Sequence, residues 1–263
     1  MAPEQIRVEK RGRVGIAWLN RPEKLNAWTN QLDAELRGQI ADWNADPSIG
    51  AILLAGEGRA FCAGADIGGW AQDLQVDDEG DSPLRTREDW ANWPTLLRRS
   101  KPIVAALHGY AIGVGLTMVL PCDVRIAAEG TKLSIRFIRV GLVPELGSTR
   151  LLAQIAGLGH AAEMCLSGRL VDAAEAHQMG LVNQVVPADE LFDVALAKAE
   201  ELASGPTNVA LLIKELIALN QSESDLDTVM ERETFRIGMA RQAPAHAEAV
   251  QAFMEKREPE FNS

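Results

Sequence analysis

The 263-residue sequence has little cysteine, few aromatic side chains and no long run of apolar residues. Its three cysteines, Cys62, Cys122 and Cys165, are too few and too widely spaced for a disulfide framework, and none has metal-ligand spacing. No apolar run reaches the roughly 18 residues that a membrane span needs, and the N-terminus lacks the apolar core of a signal peptide. We therefore expect a cytoplasmic protein with reduced thiols, no membrane span and no metal.

Basic residues are also in deficit. The chain has 26 Lys and Arg against 37 Asp and Glu, which gives a net charge of −11. Nucleic-acid binding needs a basic surface that displaces counterions from phosphates, and docking on anionic lipid needs basic clusters. The composition therefore argues against nucleic-acid and membrane partners. An anionic small molecule stays possible, because a few local cations can outweigh a screened global field.

The sequence does contain short apolar strands that alternate with amphipathic helices. Strands are predicted over 4–19 (a hairpin), 51–57, 102–109, 122–128 and 181–186. Helices are predicted over 30–46, 84–99, 111–120, 172–180, 187–203, 206–220, 225–241 and 244–257, with Asn30 capping the first and Asp172 the fourth. This order predicts an α/β core followed by a helical C-terminal part.

Two predicted strands lead into loops of small residues, CAGAD (62–66) and GVGL (113–116). Small residues let a ligand approach the backbone closely, and a helix start offers unpaired N–H groups. Two such N–H groups that converge on one carbonyl oxygen would form an oxyanion hole. The alternative is that the glycines only serve tight turns. Neither loop has the spacing of a nucleotide-binding motif.

Six segments in order strongly resemble the crotonase superfamily of enoyl-CoA hydratases and isomerases over nearly the whole chain: RPEKLNAW (21–28), GRAFCAGADI (58–67), KPIVAALHGYAIGVG (101–115), CDVRIAA (122–128), GLVPELGSTRLL (141–152) and GLVNQVV (180–186). The resemblance implies an α/β fold, a crotonase-like spiral of ββα units over 1–200, with a helical C-terminal trimerisation region over 201–263. It also implies an acyl-CoA substrate, no cofactor beyond that coenzyme A, and a homotrimer or homohexamer.

The same resemblance assigns two oxyanion donors, the backbone N–H groups of Ala65 and Val114. The family has glycine where this chain has Val114; valine restricts φ and ψ but still donates its N–H. The other residues that the resemblance places near the substrate are Lys24, Ala63, Gly64, Asp66, Ile67, Gly113, Thr117 and Phe137.

The carboxylates depart from the hydratase pattern. The two positions that carry glutamate in hydratases hold Thr117 and Phe137 here. A third position, which is acidic in several isomerases of the family, holds Glu145. One carboxylate is enough to move a proton from C2 to C4 while the oxyanion hole holds the dienolate. We therefore predict isomerisation of 3-enoyl-CoA to 2-enoyl-CoA, with Glu145 as the base.

Other interpretations stay open. Glu145 is alternatively a solvated loop residue or a charge near a helix N-terminus. Alternative activities are hydration with a single carboxylate and hydrolysis of the thioester, and an alternative without turnover is an acyl-CoA-binding subunit. The tryptophans beside the acidic segment 73–83 either line an acyl pocket or belong to the core: Trp70, Trp90 and Trp93. Cys62 lacks an activating base in the sequence, so we expect it to be a packing residue.

Overall fold

Nine strands form two sheets in the computed structural model, which describes residues 4–68 and 93–261. The strands are β1 (Ile6–Arg11), β2 (Val14–Leu19), β3 (Ala51–Gly56), β4 (Ile103–Leu107), β5 (Tyr110–Ile112), β6 (Val124–Ala128), β7 (Lys132–Ser134), β8 (Val171–Asp172) and β9 (Gln184–Val186). The larger sheet has the order β1-β2-β3-β4-β6-β9, and the smaller one has the order β5-β7-β8.

The described helices are α1 (Asn30–Ala45), α2 (Trp93–Arg99), α3 (Val114–Thr117), α4 (Ser148–Ala156), α5 (Leu158–Ser167), α6 (Ala173–Gln178), α7 (Leu191–Ser204), α8 (Thr207–Asn220), α9 (Leu226–Gln242) and α10 (Pro244–Glu255). Short 3-10 turns cover Pro22–Lys24 and Arg136–Val140. The strand-then-helix order confirms the predicted α/β fold class.

The predicted N-terminal hairpin is confirmed. β1 and β2 pair antiparallel around Gly12, whose φ of 54° suits glycine. From β2 onward the larger sheet is parallel. Its strands β2, β3 and β4 are almost entirely buried, because helices cover both faces of a parallel sheet.

Helix α1 covers one face of this sheet with a buried stripe of Leu32, Leu36, Ile40 and Trp43, as the sequence predicted. Its cap is Thr29 rather than Asn30, because the Thr29 side chain accepts the N–H of Leu32 and Asn30 is already helical. Helix α7 packs on the opposite face through its alanines.

The helix predicted over 111–120 is only partly correct. Its first residues form strand β5, which pairs with β7, and the α-helical turn is restricted to α3. The cap at Asp172 is confirmed, because its side chain accepts the N–H of Glu175 at 2.8 Å. Of the helix predicted over 84–99, the structure describes α2; the remainder lies outside the described residues, as do Trp70, Trp90 and the acidic segment 73–83.

Helices α8, α9 and α10 present many apolar side chains to the outside of the isolated chain. These include Ile213, Ile217, Leu226, Met230, Phe235, Ile237, Val250, Phe253 and Met254. No single helix in the described ranges is long and apolar enough to cross a membrane; α7 and α8 meet that criterion only as a pair, with a bend of 102° between them.

Candidate active site

The first glycine loop is hydrogen-bonded on both of its sides. On one side of it, Cys62 donates to the carbonyl of Tyr110 at 2.9 Å and accepts from the N–H of Ile112 at 3.0 Å. On its other side, Trp28 donates to the carbonyl of Gly64 at 2.8 Å and accepts from Asp66 at 3.0 Å. The loop therefore bridges β5 and the segment that contains Trp28.

This pairing fixes the direction of the Ala65 N–H. The groups on either side of Ala65 bond to Trp28, and successive N–H groups of an extended segment point to opposite sides. The N–H of Ala65 therefore points away from Trp28. Within residues 4–68 and 93–261 this N–H donates to no protein group.

The second glycine loop lies against the first. A Cβ built on Gly113 would be 4.0 Å from the Cα of Gly64, and one built on Gly115 would be 2.4 Å from the Cys62 carbonyl oxygen. Gly113 has a φ of 55° and donates to Ser134 at 2.9 Å. Val114 is the first residue of α3, so its N–H has no hydrogen-bond acceptor within that helix. It also donates to no other group in the described part of the chain. The two predicted donors thus lie on adjoining loops.

The two positions that differ from the hydratase pattern lie on different elements. Thr117 is fully buried on α3, and its hydroxyl donates to the carbonyl of Val114 at 3.4 Å. Phe137 is half-buried in the 3-10 turn and packs against the main core. Neither side chain is a base, so neither can replace the carboxylate that a hydratase has there.

Glu145 lies in the loop before α4 and is half-buried. Its carbonyl accepts the N–H of Ser148 at 3.0 Å. The surroundings of Glu145 are only partly apolar in the isolated chain, because Leu146 packs against the core whereas Leu142 is 45% and Val143 81% exposed. The hydroxyl of Ser148 is buried without a hydrogen-bond partner among the described residues.

The remaining predicted contacts differ in their exposure. Lys24 and Ile67 are exposed, whereas Ala63 and Gly113 are half-buried and Gly64 is buried. The N–H of Ala63 donates to the carbonyl of Leu25 at 3.0 Å. The carboxylate of Asp66 accepts from the Gly68 N–H and pairs with Arg21 at 2.9 Å, and the Arg21 hydrogen bond lowers the pKa of Asp66.

Three other side chains, those of Cys62, His108 and Trp93, are held by packing or by hydrogen bonds to backbone carbonyls. Cys62 is fully buried, and burial raises the pKa of its thiol to about 12, which leaves no thiolate near neutral pH. His108 contacts the Gly58 carbonyl, and burial lowers its pKa. Trp93 belongs to the core, where it donates to the Met118 carbonyl. The described ranges contain no group of three or more His, Cys, Asp and Glu side chains that could hold a metal.

The sequence reasoning did not single out Arg21 or Asn26. Asn26 is fully buried with a φ of 54°, and its side chain binds the carbonyls of Glu57 and Ala60. A polar residue in a short turn after Pro22 was the available signal, because asparagine tolerates positive φ better than most residues.

Comparison with known proteins agrees with this architecture. The profile of the family described as Enoyl-CoA hydratase/isomerase matches residues 9–263. "Probable enoyl-CoA hydratase echA8" of Mycobacterium bovis is 39% identical over 264 residues, covering 99% of both chains. The "1,2-epoxyphenylacetyl-CoA isomerase" of Escherichia coli K12 is 36% identical over 248 residues, covering 92% of both. The crystal structure of an enoyl-CoA hydratase from Bacillus anthracis superposes with a TM-score of 0.87 at 31% identity, covering 98% of this chain and 99% of that one.

The architecture is therefore the α/β crotonase fold with a helical C-terminal region. The chain belongs to the enoyl-CoA hydratase/isomerase family, and it is an enzyme of the hydratase/isomerase type that acts on an acyl-CoA.

Proposed function

We propose that this enzyme isomerises 3-enoyl-CoA to 2-enoyl-CoA, with Glu145 as its single base and the N–H groups of Ala65 and Val114 as oxyanion donors. The observation that carries the proposal is the combination of two adjoining loops, whose Ala65 and Val114 N–H groups have no partner among the described residues, with the non-acidic residues Thr117 and Phe137. With those two positions neutral, Glu145 remains as the acid of the family pattern.

In the proposed reaction the thioester oxygen lies between the two N–H groups. The Glu145 carboxylate removes a proton from C2, and the electrons of that C–H bond move into the thioester as a dienolate. The donors stabilise the negative charge that develops on oxygen, which is the kind of interaction that strengthens in the transition state. The protonated Glu145 then returns the same proton to C4, the double bond moves to C2–C3, and the carboxylate is regenerated.

Glu145→Gln tests the base, since it keeps the size of the side chain and removes its basicity. We expect kcat for a 3-enoyl-CoA to fall about 10²–10⁴-fold, the usual contribution of a positioned base. Affinity should change little, because the backbone donors remain. Glu129→Gln, on an exposed turn directly after β6, is the matched control. Normal turnover in Glu145→Gln would remove Glu145 from the mechanism.

Hydration by a single carboxylate is the second candidate, because most of the named relatives are enoyl-CoA hydratases. Incubation of the wild-type protein with a 2-enoyl-CoA and with a 3-enoyl-CoA separates the two activities. Water addition to the first substrate without migration of the double bond in the second would favour hydration. Release of free coenzyme A would favour thioester hydrolysis, and tight binding without turnover would favour an acyl-CoA-binding subunit.

We further propose that residues 201–263 form a trimerisation region attached to a core over 1–200, in a cytoplasmic homotrimer or homohexamer that needs no metal. The exposed apolar side chains of α8, α9 and α10 support this, because large apolar patches mark interfaces. Phe253 is 82% exposed in the isolated chain, so Phe253→Glu should dissociate the oligomer in sedimentation velocity, whereas Val8→Glu on β1 should not. A wild-type protein that sediments as a monomer would contradict the proposal.

A further inference from the structure

The guanidinium of Arg21 holds two groups beside the first glycine loop. One nitrogen donates to the carbonyl of Ala27, and another donates to the carboxylate of Asp66 at 2.9 Å. The Arg21 side chain is only 15% exposed. Its backbone is fixed as well, since its N–H donates to the Asn26 side chain and its carbonyl accepts from the Asn26 N–H. Arg21 is therefore a partly buried cation with a defined orientation.

The carbonyl that Arg21 binds belongs to the peptide group of Ala27 and Trp28. The N–H of that same peptide group donates to the carbonyl of Gly64 at 2.8 Å. The Gly64 carbonyl in turn shares its peptide group with the N–H of Ala65. Arg21 is thus connected to the Ala65 N–H by a chain of two peptide groups, each hydrogen-bonded to the next.

The second arm of Arg21 reaches the other side of the same donor. Asp66 directly follows Ala65, and its N–H is bonded to the Trp28 carbonyl. Gly64 has a φ of 111°, which side-chain-bearing residues rarely adopt, so the conformation of the loop depends on the contacts around it. Arg21 therefore holds the segment on both sides of the Ala65 peptide.

We propose that Arg21 is a positioning residue for the oxyanion hole, which orients and polarises the N–H of Ala65 through the Ala27–Trp28 peptide group. This inference rests on the proposed role of Ala65. A positive charge at the start of a hydrogen-bond chain strengthens each following bond, and the effect is transmitted because each peptide group is both acceptor and donor. The ion pair with Asp66 keeps the guanidinium in line with this chain of hydrogen bonds.

The role predicts an effect on the bound thioester rather than on folding. A partly exposed ion pair contributes little to the stability of a folded protein. A displacement of about 1 Å in a catalytic group, by contrast, can cost about 10² in rate. We therefore expect Arg21→Met to lower kcat by roughly 10-fold to 10²-fold, which is less than the effect of removing a donor outright, about 10²–10³-fold.

The test uses infrared difference spectra of butyryl-CoA labelled with ¹³C at the thioester carbonyl. This saturated probe reports on the oxyanion hole without turnover. Binding to the wild-type protein should move the carbonyl stretch to lower frequency, because the donors polarise the bond. Arg21→Met should show a smaller displacement, and Arg21→Lys should recover part of it, since an ammonium keeps the charge but cannot hold two partners in fork geometry.

Arg37→Met is the matched control. Arg37 pairs with Asp33 at the same 2.9 Å and is 22% exposed, but it lies on α1 and makes no hydrogen bond to the glycine loops. It should leave the carbonyl frequency unchanged. Melting temperatures of the three variants check that each is folded, and Arg21→Lys carries the test if Arg21→Met fails to fold.

The outcomes separate this inference from the proposed function. A wild-type protein that does not displace the carbonyl stretch would overturn the thioester site itself. A normal displacement in the wild type that persists unchanged in Arg21→Met, or in Arg21→Lys when only that variant folds, would overturn the role of Arg21 alone. If Arg37→Met decreases the displacement of the carbonyl stretch as much as Arg21→Met does, the decrease reflects a general loss of rigidity. That result would also overturn the role of Arg21.

Discussion

Gly115 offers a direct test of how closely the two donor loops must pack. A Cβ at this position would lie 2.4 Å from the carbonyl oxygen of Cys62 and 2.8 Å from its Cβ, whereas ordinary contacts begin at 3.4 Å. Gly115→Ala therefore requires a displacement of about 1 Å. The Cys62 carbonyl cannot yield freely, because it accepts the N–H of Ile112. The start of α3, which carries the Val114 N–H, must move instead.

Two magnitudes follow from this displacement. Overpacking of a dense interior usually costs about 1–3 kcal/mol, so we expect a lower free energy of unfolding. A shift of about 1 Å between catalytic groups can cost about 10² in rate, so kcat should fall by roughly that factor. The combination matters, since a folded variant with lost turnover indicates separation of the donors rather than collapse of the fold.

Gly38→Ala is the matched control. Gly38 lies on the exposed side of α1, and a Cβ there would meet no heavy atom within 4 Å. The same substitution should stabilise the helix by about 0.5–1 kcal/mol and leave turnover unchanged. Urea denaturation gives the stabilities and a 3-enoyl-CoA assay gives the rates. If Gly115→Ala matches the wild type in both, the tight packing of the loops is not what holds the donors in place.

Val114→Gly should keep near-normal turnover of a 3-enoyl-CoA, whereas Val114→Pro should lose about 10²–10³ in kcat because proline lacks the N–H. Equal rates in the two folded variants would show that the Val114 N–H is not part of the oxyanion hole. Iodoacetamide at about pH 8 should leave Cys62 unmodified in the native protein and alkylate the half-buried Cys165, because burial raises the pKa of Cys62 to about 12. Peptide mass spectrometry reads out both sites, and modification of Cys62 at the rate seen in urea would contradict its burial. The pKa of Asp66 is lowered by Arg21, so their ion pair makes a small contribution to stability at neutral pH, and that contribution is lost as the pH falls through the lowered pKa. The small difference in melting temperature between the wild type and Arg21→Met should therefore shrink below about pH 4, and a difference that grows in acid would show that the pair is not its source.

The sequence allowed prediction of those features that depend on local pattern. The spacing of Leu32, Leu36 and Ile40 identified the buried face of α1, and apolar runs identified strands β2, β3 and β4. Strand β5 was missed because its three residues have no periodicity of their own. They become a strand only by pairing with β7, which lies further along the chain.

The candidate site was predictable as two glycine loops but not as a network. Family resemblance pointed to Ala65 and Val114, and the loops that carry them do adjoin. Nothing local indicated that Trp28 would hold the peptide groups on both sides of Ala65, because that pairing forms between distant segments. The exposure of Leu142 and Val143 was also not predictable, since an apolar residue in a loop has no pattern that gives its burial.

The placement of the first glycine loop between β5 and Trp28 has a consequence for how the enzyme folds. The hydrogen bonds from Trp28, Ile112 and Gly113 each join segments far apart in the chain, so they add to contact order and form only when those segments have come together. Their amides should then exchange with deuterated water only through global unfolding and not through a local opening of the loop. In this architecture catalytic competence and the cooperativity of the native state are acquired in the same event.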